Sequence, residues 1–501
     1  MESDLLVKAR ELARNARPDS LFSDGHRAIW LDGTVAKGTV HVLASASDDL
    51  WQRFDGATEP AGTLVTGSGP RSAANAAIAR VIATHLKPVP LGLDTSAGFG
   101  DRLGLATPGH VRALRNANPN GAIRSIFAQQ SIREMARTNR TPQSVMDDAT
   151  WGALSAGWSG PVGADADHLK TEADVRACVD AGFTFFTFDP GDHVDDDAAH
   201  DDATTLDSKL DALPWDALRT SKRDMLARYR NLRVPVDGLD ITIDLESLTR
   251  AAVKYGRALA QAAHLQGVLA ATGAPHEIEV SVDETGTPTT LAEHAFLALE
   301  LTRLAIPVVS LAPRFVGRFE KGVDFRGSLD ELAHTLDAHA RIARSLGPYK
   351  LSLHSGSDKF SVYPLIAEAT HGLVHLKTAG TSYLEALRVT AMHDPGLFRE
   401  ILAIAHDRFE VDRASYLIGA ELARVPAPDK VPDDDLPSLL DDDDARQVLH
   451  VTYGSALDAI RPRLLDLLSR YEDDHDATIE RHFVRHLAPF VPHAHSQGGS
   501  A

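Results

Sequence analysis

One segment of the chain alternates strictly between apolar and polar residues. Between residues 276 and 284, the apolar positions are Ile278, Val280 and Val282. The intervening polar positions are Glu277, Glu279, Ser281 and Asp283. Because successive side chains of a strand point to opposite faces, this pattern predicts a strand with one acidic face. A strand in a helix-covered parallel sheet is normally apolar on both faces, so these carboxylates need binding partners.

The same kind of segment recurs along the chain, and amphipathic helices separate several of the copies. The predicted strands are 88–94, 125–131, 160–167, 183–189, 276–283, 307–314, 349–355 and 373–377. The predicted helices are 145–156, 172–181, 251–272, 291–305 and 329–346. Eight strands with intervening helices indicate an α/β fold, a (β/α)8 TIM-like barrel. A doubly wound sheet is the alternative, but residues 98–104 only weakly match a dinucleotide-binding turn.

The barrel does not account for the whole chain of 501 residues. We expect an N-terminal α+β extension over 1–86, with strands 27–31 and 38–44 paired. The barrel would cover 87–394, with an insertion at about 190–250 after the fourth strand. A helical C-terminal extension over 395–490 and a disordered tail over 491–501 complete the prediction.

Composition narrows the range of partners. The formal net charge of −19 argues against nucleic acid or an anionic membrane as the main partner. No apolar run is long enough to span a bilayer, and the acidic start does not resemble a signal peptide. Cys178 is the single cysteine, which excludes an internal disulfide and a cysteine-based metal cluster. We therefore expect a cytoplasmic protein, either a monomer or a homo-oligomer.

Polar residues concentrate at the carboxyl ends of the predicted strands, which is where barrels of this class carry their chemistry. Alternation places His354 with Lys350 on an inner face, His375 with Lys377, and Asp165 with Asp167. A lone inward histidine is commonly a hydrogen-bonded core residue. Imidazoles combined with carboxylates instead suit a divalent metal ion such as Zn, Mn, Ni or Co. The predicted ligands are Asp167, Glu279, His354 and His375.

Other residues at these ends predict binding of an anion or a polyol. The loop after the seventh strand carries Ser355, Ser357 and Lys359, whose donors suit a carboxylate or phosphate, although an ordinary turn explains them equally well. Arg314 after the sixth strand and Gln129 in the second are further candidates. All five are predicted substrate-binding residues.

Five blocks of sequence, in this order, resemble the tagaturonate epimerase family. They are GADADHLK (163–170), SVDET (281–285), LAPRF (311–315), LHSGSDK (353–359) and HLKTAGT (375–381). The resemblance implies a metal-dependent barrel that interconverts the sugar acids D-tagaturonate and D-fructuronate by inversion at C4. Alternatives are the same inversion in neutral ketohexoses such as tagatose and fructose, a metal-dependent aldose–ketose isomerase, or a sugar-acid-binding protein without activity.

The chemistry of that inversion suggests roles for three more residues. The C4 hydrogen is β to the C2 carbonyl and is not acidified by it, so we favour retro-aldol cleavage of C3–C4 followed by re-addition. Asp283, with Asp189, would move the proton of the C4 hydroxyl. Lys377 offers a second route, because an inward lysine at a strand end can form a Schiff base. Its simpler role is that of an ion-pair partner.

Overall fold

The computed structural model describes residues 4–236 and 238–494. Its N-terminal region is a five-stranded antiparallel sheet in the order β1-β2-β3-β5-β4. The elements are α1 (Asp4–Leu12), β1 (Phe22–Ser23), β2 (Ala28–Gly33), β3 (Gly38–Ser45), β4 (Ala57–Ala61), β5 (Leu64–Gly69) and α2 (Ala73–Ile82). The expected pairing of its two predicted strands is confirmed, since β2 and β3 are antiparallel neighbours with Trp30 opposite His41.

Eight parallel strands then close into a barrel, which confirms the predicted (β/α)8 fold. The first half consists of β6 (Ser96–Gly100), α3 (Thr107–Ala117), β7 (Arg124–Ser131), α4 (Ile132–Arg137), α5 (Pro142–Ser155), β8 (Val162–Leu169), α6 (Glu172–Asp180) and β9 (Phe185–Phe188). An insertion follows, with α7 (Ala203–Asp211), α8 (Lys222–Tyr229), the hairpin β10 (Leu232–Val236) and β11 (Leu239–Ile243), and the long helix α9 (Leu245–Ala270). The hairpin packs against the next two barrel helices, on the outside.

The second half of the barrel returns to the first strand. It consists of β12 (Glu277–Ser281), α10 (Leu291–Arg303), β13 (Val308–Ala312), α11 (Leu329–Leu346), β14 (Lys350–Leu353), α12 (Tyr363–Thr370), β15 (Val374–Thr378) and α13 (Thr381–His393). The barrel closes where β15 pairs with β6. Seven of the eight predicted strands overlap a barrel strand, and the exception is the first, 88–94.

The prediction of a first strand at 88–94 is wrong, because the first barrel strand is β6. Pro88 and Pro90 have no N–H to donate to a strand ladder. The segment instead crosses the amino-terminal end of the barrel, where the backbone N–H groups of Leu91 and Gly92 donate to Glu277. The glycines of β6 interrupt the alternation of apolar and polar side chains, so periodicity did not predict this strand. A Cβ at Gly100 would lie 2.5 Å from the carbonyl oxygen of Thr378.

The C-terminal extension is helical where the structure describes it. It contains α14 (Pro395–Asp412), α15 (Asp443–Val451), α16 (Tyr453–Arg470) and α17 (Glu472–Leu487), with short 3-10 helices at Arg413–Ser415, Leu422–Arg424, Pro428–Lys430, Asp433–Asp441 and Ala488–His493. The predicted tail thus begins inside the last 3-10 helix, and its final residues, 495–501, lie outside the described part. Over residues 4–236 and 238–494, no helix combines the length and apolar character needed to cross a bilayer.

Substitution of Gly100 tests the close approach of β6 and β15. Gly100→Ala should lower the free energy of unfolding by about 1–3 kcal/mol, because the backbone of Thr378 cannot move away without disturbing the closed ladder. Gly267→Ala is the matched control. It lies on the exposed side of α9 with no atom within 4 Å of the added Cβ, and should gain roughly 0.5–1 kcal/mol. Urea denaturation measures both, and equal effects would contradict the close-approach argument.

Candidate active site

The interior of the barrel is filled by polar side chains arranged in layers along its axis. At the amino-terminal end, Glu277 accepts the two backbone N–H groups described above, and Lys350 donates to Ser96 Oγ at 3.0 Å. Burial raises the pKa of Glu277. These contacts close the bottom of the barrel, so the inward carboxylate of Glu277 is structural.

A single ammonium group occupies the centre of the next layer. Lys377 Nζ lies 2.9 Å from Asp165, 2.7 Å from Asp167 and 3.0 Å from Glu279. Burial lowers the pKa of Lys377, but the three carboxylates outweigh it and raise that pKa well above its usual value. Lys377 in turn helps to hold the pKa values of Asp167 and Glu279 well below theirs. The four side chains therefore form a buried cluster of ion pairs.

His354 lies between two carboxylates at the end of β14. Its Nε2 donates to Glu279 Oε1 at 2.6 Å, and its Nδ1 is 3.2 Å from Asp283 Oδ1. Burial lowers the pKa of His354, but Asp283 and then Glu279 outweigh burial and raise it to about 10. The ring is thus fixed by Glu279 on its deep side and faces Asp283 on the other.

His168 is a functional candidate that alternation along β8 does not find. As the neighbour of inward Asp167, it should point out of the barrel. However, the register of β8 against β9 shifts between Ala166 and Leu169, and His168 has φ of +55°. This bulge turns the ring inward, where Nδ1 donates to Asp167 at 2.8 Å. A left-handed non-glycine residue beside an active-site strand end is a common sign of function.

His168 and His354 are held in the same way. One ring nitrogen of each histidine is bonded to a buried carboxylate, Asp167 or Glu279, and both carboxylates are bonded to Lys377. Potential ligand atoms of His168, Asp283 and His354 lie within 4.8 Å of one another, as do those of His168, Asp189 and Glu284. Carboxylates that orient metal-binding histidines in this manner are typical of metal sites in proteins.

A cavity of about 570 Å³ opens above this cluster at the carboxyl-terminal end of the strands. Its walls come from the loops after the barrel strands and from the C-terminal extension, which contributes Tyr416 and Leu417. The charged and titratable residues that line it are Arg133, Asp283, Glu284, Arg314, Lys321, His354 and Tyr416. This volume accommodates a small polar molecule, with His354 and Asp283 at its floor.

Comparison with known proteins decides the family. The model of the tagaturonate epimerase family matches residues 41–490. The chain belongs to this family. It is 44% identical over 419 residues to a tagaturonate/fructuronate epimerase of Thermotoga maritima, covering 83% of this chain and 85% of that one.

Solved structures agree with the family assignment. The native structure of a fructuronate-tagaturonate epimerase from Cohnella laeviribosi has a TM-score of 0.88 and 33% identity, over 97% of this chain and 98% of that one. A glycerol complex of the same epimerase has a TM-score of 0.87. The resemblance inferred from the five sequence blocks is confirmed, and so is the expectation of an isomerase of the epimerase class.

Within this tagaturonate epimerase fold, the four predicted metal ligands do not form one group. His375 lies deeper, with Nδ1 2.9 Å from Ser96 Oγ and Nε2 3.7 Å from Asp165. Burial lowers its pKa, so it is a neutral core histidine. Asp167 and Glu279 bond to Lys377 and to the two histidines, as described. Of the predicted ligands, only His354 belongs to a group with the spacing of a metal site among the described residues.

The predicted catalytic carboxylates both lie near the cavity floor. Asp283 faces His354, and Asp189 is close to His168 and accepts the N–H of Gly191 at 2.9 Å. Gln129 is buried, and its Nε2 lies 3.5 Å from Asp167. Arg314 and Ser355 line the cavity, and their contact with a substrate stays a prediction.

Lys359 and Ser357, also predicted to bind substrate, bond to backbone carbonyls of neighbouring loops. Lys359 Nζ donates to the backbone carbonyls of Glu320, Ser357 and Val323, the first at 2.7 Å. Ser357 Oγ donates to the carbonyl of Ala379 at 3.2 Å. These contacts favour a role in shaping the loops over a role in substrate binding. The sequence could not distinguish the two because a compact polar loop suits either role.

Removal of the central ammonium tests the ionised cluster. Lys377→Met should lower the free energy of unfolding by about 3–5 kcal/mol at pH 7, because three buried carboxylates lose their counter-charge. Without Lys377 the folded-state pKa values of Asp167 and Glu279 rise, so part of the deficit should disappear as the pH falls towards 5.

The matched control for Lys377→Met is Lys209→Met. Lys209 also pairs with two carboxylates, Asp195 and Asp201, but at a partly exposed position. Its loss should cost about 0–1 kcal/mol. Urea midpoints at pH 7 and pH 5 measure the stability of both variants. Similar losses of stability would show that the effect of removing Lys377 does not depend on burial of the cluster.

Proposed function

We propose that the chain interconverts D-tagaturonate and D-fructuronate by inversion at C4. The relatives in Thermotoga maritima and Cohnella laeviribosi are named for these two sugar acids. The observation that carries the proposal is the floor of the cavity, where two histidines with fixed rings converge with Asp283. A reaction that moves protons between oxygens and stabilises a developing oxyanion needs groups of this kind.

We propose further that His168, His354 and Asp283 hold a divalent metal ion, such as Zn, Mn, Ni or Co. The residues fit such an ion because each histidine presents one nitrogen towards the cavity floor while a carboxylate fixes the other. When bound, the ion would polarise a substrate carbonyl as a Lewis acid. This assignment replaces Asp167, Glu279 and His375 as direct ligands and moves Asp283 from proton transfer to metal binding.

The proposed reaction is retro-aldol cleavage followed by re-addition. A carboxylate takes the proton of the C4 hydroxyl, the C3–C4 bond breaks, and its electron pair moves through C3 to the C2 oxygen. The released C4 aldehyde rotates, and the bond re-forms on its other face as the proton returns. Asp189 and Glu284, which lie beside His168, are placed to hold that proton.

A Schiff base on Lys377 is the competing route. Its nucleophile would be a neutral amine, whereas the three carboxylates around Lys377 raise its pKa and favour the ammonium. Borohydride added during turnover should therefore leave the mass of the protein unchanged. A stable adduct on Lys377 would favour the Schiff-base route instead.

Turnover and metal content can be tested in one experiment. The chelator-stripped protein should be inactive, and the metal-reloaded protein should convert tagaturonate to fructuronate, as followed by NMR in D2O. The C4 hydrogen should remain protium, because retro-aldol chemistry never breaks that C–H bond.

Each departure from this result has a distinct meaning. Full activity after chelation would contradict the metal, and deuterium at C4 would contradict retro-aldol cleavage. Inactivity towards both uronates would reject the proposed function in favour of neutral ketohexoses or an aldose–ketose isomerisation.

The role assigned to Glu279 gives a separate prediction. Glu279→Gln should weaken metal binding about 10- to 100-fold without abolishing it, because the side chain orients His354 and does not itself bind the ion. His264→Asn, an exposed histidine of α9 paired with Glu172, is the control and should leave metal binding unchanged. Titration with a competing chelator measures the affinity. Complete loss of metal in Glu279→Gln would restore Glu279 as a direct ligand.

A further inference from the structure

Three arginine and lysine side chains line the cavity, and one of them is already paired with a carboxylate. Arg133 Nη2 lies 3.7 Å from Glu284, and its guanidinium stacks 5.2 Å above the ring of Tyr416. Arg314 and Lys321 have no carboxylate within 4.0 Å among the residues that the structure describes. Among the described residues, the side chain of Arg314 donates only to the backbone oxygen of Asp283, at 3.3 Å, and its buried Nε has no hydrogen-bond partner. Two positive charges therefore face the cavity without counter-charges.

Both cations come from one loop, residues 313–327, which follows β13. Buried donors fix the backbone of this β13 loop on both sides of Lys321. Lys359 donates to the carbonyls of Glu320 and Val323, and Arg446 Nε donates to the carbonyl of Gly322 at 2.7 Å. Gln447 Nε2 donates to the carbonyl of Lys321 itself at 3.2 Å. The backbone at Lys321 is thus held in place by contacts within the protein.

The nearest acidic residue on the β13 loop does not neutralise Lys321. Glu320 is fully buried and pairs with Arg318 at 2.7 Å and with Arg326 at 3.5 Å. It also accepts the N–H of Gly419 and the amide of Gln447, each at 3.0 Å. Its charge is therefore satisfied on the side of the C-terminal extension. The other carboxylates of the cavity wall, Asp283 and Glu284, lie next to His354 and Arg133.

We infer that Lys321 and Arg314 form a subsite for the carboxylate of the sugar acid and set the preference for a uronate over a neutral ketohexose. This inference rests on the proposed function and assigns Lys321 a role that its sequence context does not suggest. The carboxylate of a hexuronate takes no part in the inversion, so it needs a binding site away from the reacting carbons. A neutral ketohexose leaves both cations without a partner, and sites built to pair a charged group discriminate strongly against such analogues.

Charge removal at position 321 tests the subsite. Lys321→Gln should raise KM for tagaturonate about 10- to 100-fold, as expected for a lost charge-assisted hydrogen bond, with kcat changed much less. Lys321→Arg should retain most of the wild-type affinity, because it keeps the charge. Lys430→Gln is the matched control, an exposed lysine paired with Asp429 in the C-terminal extension.

Binding without turnover separates this inference from the proposed reaction. Calorimetry on the metal-loaded protein would compare galactonate with galactitol, which differ at the carboxylate. Wild-type protein should prefer galactonate, and Lys321→Gln should lose that preference while galactitol binding is unchanged. Equal binding of the two by wild-type protein, or equal weakening of both in Lys321→Gln, would overturn the subsite. Absence of uronate turnover with the preference intact would instead reject only the proposed reaction.

Discussion

The organisation of this barrel depends on the ammonium group of Lys377. It is bonded to Asp165, Asp167 and Glu279 in a layer from which water is excluded. Such a cluster adds little net stability, because desolvation of buried charges offsets much of their mutual attraction. Apolar side chains of similar volume often stabilise a core equally well. Its value here lies in orientation. Two of the three carboxylates each fix one histidine ring, so a single cation sets the geometry of both His168 and His354.

The proposed subsite for the substrate carboxylate lies apart from this rigid centre. Arg314 and Lys321, which face the cavity without an ion pair to any described residue, are on the loop after β13. The C-terminal extension holds that loop through Arg446 and Gln447. Tyr416 of the same extension forms part of the wall, with its hydroxyl accepting a hydrogen bond from Arg137 at 2.6 Å. The barrel thus supplies chemistry, while elements outside the (β/α)8 pattern shape the space above it. If the proposed subsite is correct, this division of labour lets a common fold carry a preference for one class of substrate.

Alternation along the strands was a reliable guide wherever the strands are regular. It placed Glu279, His354 and Lys377 inside the barrel from sequence alone, and all three meet there. It failed at His168, because a bulge with positive φ reverses the side chain. It also could not give depth along the axis, so His375 was grouped with residues one layer above it. Lys321 and Lys359 show a third limit. Periodicity does not predict where the side chain of a loop residue lies. Only tertiary contacts show that Lys321 faces the cavity and that Lys359 is buried.

The charges of the central cluster bear on the choice of ion at the proposed metal site, and they favour a divalent ion over a monovalent one. Asp165, Asp167, Glu279 and Asp283 bring four carboxylates together, and Lys377 compensates one of them. The two histidines can each add one positive charge, and both have a raised pKa because of these carboxylates. A divalent ion bound to neutral imidazoles supplies the same two charges in the same place. The cluster therefore keeps its charge balance when a divalent ion replaces two protons, whereas a monovalent ion would leave one more buried carboxylate uncompensated.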